Sequence, residues 1–143
     1  MIVYFDTSAL VPLLVIEPNT ESCQRLWDEA DDVVTTRLLY VECAAALAHA
    51  LRLSRLTAQE HRSTLRRLDR LWPDFAVAEL DQALVARAAE LAHDHALRGY
   101  DAVHSAAAEQ LSDSDLVVAS GDRQVLQACS SLGLATANVT SKT

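Results

Sequence analysis

An α/β fold built on a parallel sheet is the architecture this sequence predicts, and three observations carry that reading. Short, uninterrupted apolar runs such as Ile2-Val-Tyr-Phe5 and Leu116-Val-Val-Ala119 alternate with longer helical segments along the chain. Strands that read as continuous apolar runs are buried on both faces, the condition of a parallel sheet covered by helices above and below. Glycine and proline are sparse, three of each in 143 residues, with no linker-like stretch and no repeated block. A single domain spanning residues 1–143 is therefore expected, and half the residues are apolar, enough for a core without staples.

The first strand covers Ile2 to Phe5 and ends at Asp6, after which Thr7-Ser8 turns the chain into an apolar helical segment from Ala9 to Ile16. That segment is too short to span a bilayer, and the residues from Met1 to Asp6 lack the basic region of a signal peptide, so a cytoplasmic protein without membrane association is expected. A second helix from Thr20 to Ala30, a strand from Val33 to Thr36 and a long apolar helix from Leu38 to Leu53 follow. Thr57 and Glu60 have capping-box spacing, so another helix starts there and runs to about Trp72, where Pro73 stops it. Phe75 to Leu80 reads as a strand, Asp81 caps a helix to about Leu97, Gly99 breaks it, and Asp101 opens the next. Leu116 to Ala119 is a strand, Asp122 opens a helix to Leu132, and Gly133 precedes a last strand near Leu134 to Ala137. The tail from Thr140 to Thr143 is expected to fray.

The three cysteines, Cys23, Cys43 and Cys129, show no paired spacing, so neither a disulfide framework nor a zinc site is suggested. The net charge of −8 argues against a non-specific nucleic-acid coat. The distribution of charge qualifies that: six of the eleven arginines fall between Arg52 and Arg70. Arg62, Arg66 and Arg70 recur every fourth residue on the helix after Thr57, with Arg67 beside them, opposite Leu65, Leu68 and Trp72. They form either a solvated face or a rim of candidate RNA contacts.

In a parallel sheet the ligand site lies beyond the carboxyl ends of the strands, where the strand order reverses. Asp6 and Asp122 are placed at strand ends by sequence alone, and two further acids sit on helices able to approach the same edge. Glu42 is the only charged residue between Leu38 and Ala48. An isolated carboxylate in such a segment is costly unless it is paired, protonated or bound to a cation. Asp101 heads a helix of small apolar residues and serves either as its cap or as a ligand; Asp6 and Asp122 carry the same two readings. Carboxylates gathered at one edge repel by up to about 4 kcal/mol per close pair at an effective dielectric of 20, a cost that a divalent cation offsets. Oxygen-only ligands select Mg²⁺ or Mn²⁺ over zinc. His104, one turn after Asp101, is either structural or bonded to a site carboxylate. His93 and His95 point away from each other and make no metal site.

Asp6-Thr7-Ser8 after the first strand, Glu42 early in the third helix, Tyr100-Asp101-Ala-Val-His104 opening a later helix and Ser120-Gly121-Asp122 after the fourth strand together resemble the pattern of PIN-domain ribonucleases, and in order, spacing and length are similar to toxins of the VapC type. The likeness runs from Met1 to about Asn138. It implies a three-layer α/β/α fold with sheet order 3-2-1-4-5, a homodimer, Mg²⁺-dependent hydrolysis of an RNA substrate leaving a 5′-phosphate and a 3′-hydroxyl, and inhibition by a cognate antitoxin. Carried over residue by residue, Asp6, Glu42, Asp101 and Asp122 become the catalytic metal-binding set, with Ser8 and Ser120 as polar supports; serine at 120 stands where the family often has threonine.

Two other enzymes of this shape are disfavoured by named residues. A phosphorelay receiver needs a lysine after its fifth strand, and Lys142 is the only lysine; a haloacid-dehalogenase-type phosphatase needs an aspartate where Ser8 stands. The remaining alternative is a PIN-like module that binds RNA or protein without cutting.

Overall fold

The computed structural model describes residues 1–140, with the elements β1 (Ile2–Phe5), α1 (Thr7–Leu14), α2 (Thr20–Glu29), β2 (Asp32–Thr36), α3 (Leu38–Arg52), α4 (Ala58–Leu71), β3 (Phe75–Ala78), α5 (Gln82–His95), α6 (Gly99–Gln110), β4 (Leu116–Ser120), α7 (Arg123–Ser131) and β5 (Ala135–Asn138). A single turn of 3-10 helix, Trp72–Asp74, joins α4 to β3. All pairings are parallel and the sheet order is β3-β2-β1-β4-β5, the topology implied by the PIN resemblance. The central strand β1 is buried on both sides, which is why it is written in large apolar residues.

Successive residues of each inner strand enter opposite layers. Val3, Phe5, Val33 and Ala119 pack with α1, α3 and α4 on one face, while Tyr4, Val34 and Val118 pack with α5, α6 and α7 on the other. Helix α3 inserts Leu39, Cys43 and Leu47, one residue per turn, and Glu42 lies beside that stripe. On the same layer Phe5, Trp27, Phe75 and Trp72 meet edge to face or tilted, so these aromatic residues pack with one another in the core. The three cysteines are buried and free, and burial pushes the Cys23 thiol up to about 12.

Several boundaries differ from expectation. The helix α1 starts at Thr7, with Asp6 as its cap. Strand β3 ends at Ala78, two residues before the expected Leu80. The break before α6 falls at Ala96, which takes a left-handed conformation (φ 52°) while the Leu97 N–H bonds back to the Ala92 carbonyl. Burial of Leu97 holds that turn without glycine, and Gly99 instead becomes the first residue of α6. Arg98 therefore occupies the cap position, and Asp101, expected to open the helix, lies inside its first turn with no capping bond. Thr140 is tied to the Asn138 side chain through its N–H (3.0 Å) and its hydroxyl (2.7 Å); the rest of the expected frayed tail, residues 141–143, lies outside the described residues.

The capping box expected at the start of α4 is formed: the Glu60 N–H donates to the Thr57 hydroxyl oxygen at 3.1 Å and the Thr57 N–H to the Glu60 carboxylate at 2.9 Å. Thr57→Ala removes one of these bonds from the helix that carries the arginine row. It should cost about 1 kcal/mol, read as a fall of roughly 2–4 °C in the unfolding midpoint.

Candidate functional site

Strand order reverses at β1, which lies between β2 and β4, and Asp6 is the residue that leaves it. Its N–H donates to the Ala119 carbonyl (3.3 Å), extending the β1–β4 pairing to this position. Its carboxylate then receives three donors: the Ala9 N–H (3.1 Å) and Ser8 hydroxyl (2.7 Å) at Oδ1, and the Ser120 hydroxyl (2.5 Å) at Oδ2. The two hydroxyls are themselves oriented, since Ser8 accepts from the Gly121 N–H at 2.7 Å and Ser120 from the Asp122 N–H at 2.9 Å. Gly121 fits this turn because it lacks a side chain: a Cβ there would stand 3.0 Å from the Thr140 methyl. Ser8 and Ser120 thus lock Asp6 to the turn that carries Asp122.

Asp122 uses Oδ1 to cap α7, accepting the Gln124 and Val125 N–H groups at 2.8 and 3.2 Å, and turns Oδ2 toward Arg98 at 3.5 Å. The Arg98 Nε donates to Asp101 Oδ2 at 3.0 Å. One guanidinium therefore spans two of the four acids from a side chain that is 76% exposed. Among the described residues Glu42 has no arginine partner. It accepts the Thr7 hydroxyl at 2.8 Å and meets His104 Nε2 at 2.5 Å, while His104 Nδ1 lies 2.8 Å from the Tyr4 hydroxyl. The Tyr4 phenol stays protonated, since burial and then the charge of Asp6 hold its pKa well above the ordinary value.

Asp6, Glu42, Asp101 and Asp122 all line one cleft of about 680 Å³, together with Thr7, Ser8, Arg98 and His104. The four acids expected to converge line this one cleft, and part of their mutual repulsion is relieved by the protein itself: Arg98 lies between two of the acids and His104 faces a third. Among the described residues, no three His, Cys, Asp or Glu groups are gathered closely enough to hold a metal ion as they stand. The donor set nevertheless suits a hard cation, being carboxylate oxygens beside water-accessible space. Mg²⁺ retains several waters and needs only one or two direct carboxylates, so a spread set fits it better than a closed cage would.

Arg62, Arg66 and Arg70 are exposed on α4, and none of them lines the cleft. The cation that does, Arg98, was missed in the sequence, although an arginine three residues before an acid at a helix start is a recognisable pairing. Tyr4 was also missed as a site residue; a tyrosine in a strand buried on both faces must find a polar partner, and that was its signal.

At Asp6, which is 3% exposed, desolvation raises the carboxyl pKa and outweighs the field of His104 and the hydroxyl and N–H donors that oppose it. A raised acid favours folding while protonated, so its contribution is fully present below the unfolded pKa and is lost as pH rises through the folded value. In chelator, Asp6→Asn should therefore gain stability relative to the parent as pH climbs from about 4 towards neutrality. Unfolding midpoints of both proteins across that range test it; a parallel pair of curves would show that Asp6 is not held in a desolvated state.

Comparison with known proteins bears directly on this arrangement. The model of the PIN domain matches residues 3–129. Ribonuclease VapC45 of Mycobacterium tuberculosis is 44% identical over 128 residues, which cover 87% of this chain and 86% of that protein. Among solved structures, FitAcB from Neisseria gonorrhoeae superposes with a TM-score of 0.73 at 22% identity, covering 98% of this chain and 99% of that one. A toxin–antitoxin complex from Klebsiella pneumoniae gives a TM-score of 0.61 at 16% identity, over 87% of this chain and 89% of that one. These two likenesses are of fold; the family model and the VapC45 match go further. The chain belongs to the PIN domain family and is of the VapC type.

Proposed function

We propose that this chain is a Mg²⁺- or Mn²⁺-dependent endoribonuclease, the toxin of a toxin–antitoxin pair, and that it hydrolyses RNA phosphodiester bonds in the cleft lined by Asp6, Glu42, Asp101 and Asp122. The observation that carries the reading is the arrival of four carboxylates, from the ends of β1 and β4 and from α3 and α6, in one cleft at the switch point of a parallel sheet. The name of its 44% identical relative supports RNA as the substrate, and the fold shared with a chain of a solved toxin–antitoxin complex supports an antitoxin as partner.

The chain's own residues divide the work. Asp6 is oriented by three hydrogen bonds and Asp101 is buried at the cleft wall, so both present fixed oxygens to a cation. Glu42, held by Thr7 and His104, and Asp122, held by the N–H groups at the start of α7, complete the anionic lining. When bound, Mg²⁺ offsets charge on the scissile phosphate and acidifies a water. Arg98, once its carboxylates have another cation, is free to face phosphate, and the arginine row of α4 supplies a second basic region on the outside. The apolar side chains of Val41, Leu80, Val85 and Tyr100 are exposed and give a second copy of the chain a surface to bury in a homodimer.

Purified protein should cleave RNA when millimolar Mg²⁺ or Mn²⁺ is present and stop when chelator is in excess, with Asp101→Asn reduced to background in either condition. Gel analysis of a structured RNA measures this; cutting that persists in chelator would remove the metal from the mechanism. Replacing Arg62, Arg66 and Arg70 together by Ala should raise KM and flatten the salt dependence of binding, by about 0.7 in the log–log slope for each single-strand phosphate that is no longer neutralised. Kinetics at several salt concentrations decide the point, and identical slopes would make the row a solvated surface.

A further inference from the structure

Four elements contribute to a second chain of polar contacts, separate from the one that holds Asp6. Tyr4 from β1, His104 from α6, Glu42 from α3 and Thr7 from α1 are linked in series: Tyr4 Oη to His104 Nδ1 (2.8 Å), His104 Nε2 to Glu42 Oε1 (2.5 Å), and Thr7 Oγ1 to the same Glu42 oxygen (2.8 Å). Tyr4 and His104 are 0% and 3% exposed, so the contact between them forms away from competing water, while Glu42 and Thr7 meet it at the cleft wall. No buried polar side-chain atom among the described residues lacks a partner, so this network is fully satisfied.

The direction of each bond follows from the chemistry of the groups. A carboxylate oxygen only accepts, so Nε2 must carry a proton and donate it to Glu42. With Nε2 turned to Glu42, the other ring nitrogen, Nδ1, faces the Tyr4 hydroxyl at 2.8 Å. Tyr4 therefore anchors the far nitrogen of the His104 ring, and His104 in turn fixes one Glu42 oxygen while the other remains for the cleft. The Thr7 donor meets the fixed oxygen from a second direction, so Glu42 cannot rotate without breaking two bonds. Packing alone does not require this: Leu or Phe at position 104 would fill the volume without the cost of burying an imidazole.

We propose that Tyr4 and His104 are positioning residues that hold the Glu42 carboxylate ready for the divalent cation, an inference that rests on the metal-dependent reading above. The fold brings the support from the opposite layer of the sheet: Tyr4 and His104 belong to the α5–α7 side, whereas Glu42 is carried by α3. The orientation of one cleft acid is thus set by the core beneath it rather than by its own helix. Outer partners of this kind typically change metal affinity by about 10- to 100-fold when removed.

The test exploits the two nitrogens of the ring. A glutamine amide nitrogen at position 104 falls where Nε2 stands, whereas that of asparagine falls nearer to Nδ1 and does not reach Glu42. Mn²⁺ binding to the full chain, followed by electron paramagnetic resonance without RNA, should be within about threefold of the parent for His104→Gln and about 10- to 100-fold weaker for His104→Asn. Tyr4→Phe, which keeps the aromatic ring but removes the anchor on His104 Nδ1, should be intermediate, and thermal unfolding in chelator reports whether each variant is folded. Parent-like Mn²⁺ affinity in folded His104→Asn overturns the proposal, as does equal loss in the Gln and Asn variants, which would make the role one of packing. Should His104→Asn not fold, Tyr4→Phe decides alone, and unchanged affinity there overturns the proposal. A parent that binds no Mn²⁺ defeats the metal-dependent reading itself and this inference with it, a result distinct from either of the others.

Discussion

A carboxylate almost fully removed from water at the end of the central strand is the constraint around which the rest of the site is organised. Solvent supplies little to Asp6, so the protein provides a helix N-terminus through Ala9 and two hydroxyls through Ser8 and Ser120. Each hydroxyl needs an acceptor role filled as well, and the N–H groups of Gly121 and Asp122 fill them. The turn after β4 is thereby drawn against the turn after β1, and Asp122 arrives beside Asp6 as part of that arrangement. Parallel pairing is what makes this feasible, since only parallel strands deliver both of their carboxyl ends to the same edge.

Electrostatics then shapes the cleft more finely than a simple cluster of like charges would. Each acid has a distinct environment: Asp6 is held by neutral donors, Glu42 by a histidine and a threonine, and Asp101 and Asp122 share a guanidinium. The deficit of water falls mainly on Asp6, which is why its pKa is raised despite three donors. The arginines of α4 stand apart from all of this, on an exposed helix face outside the cleft. Positive charge is kept where it does not neutralise the acids permanently, while the net charge of the chain remains −8.

Much of this was legible in the sequence because it is encoded locally. Apolar runs gave the strands, hydroxyls and acids before helices gave the caps of α4, α5 and α7, and an isolated Glu42 in an apolar helix announced a partner it could not find on its own helix. The ends of α5 and α6 were misplaced because a buried Leu97 stabilises a left-handed alanine, a tertiary effect that no nearest-neighbour rule contains, and glycine was credited with the turn instead. The same shift hid the role of Arg98, which fell between the expected helices and is the cap residue of α6. Pairings such as Tyr4 with His104 span a hundred positions; they become visible only when the sheet order brings β1 beneath α6.

The Arg98 guanidinium has a wider consequence, since it makes the cleft a site with a resident counter-ion attached by a flexible stem. Any cation entering between Asp101 and Asp122 meets an already paired couple, so its arrival is an exchange rather than an addition, and the displaced charge stays on the same molecule at the cleft mouth. The pair is largely solvent-exposed on the arginine side and is worth little as a bond, so the exchange is inexpensive and ionic strength eases it further. What the tether governs is local concentration: whenever the pair opens, the positive charge stays within reach of both acids and can close on them again.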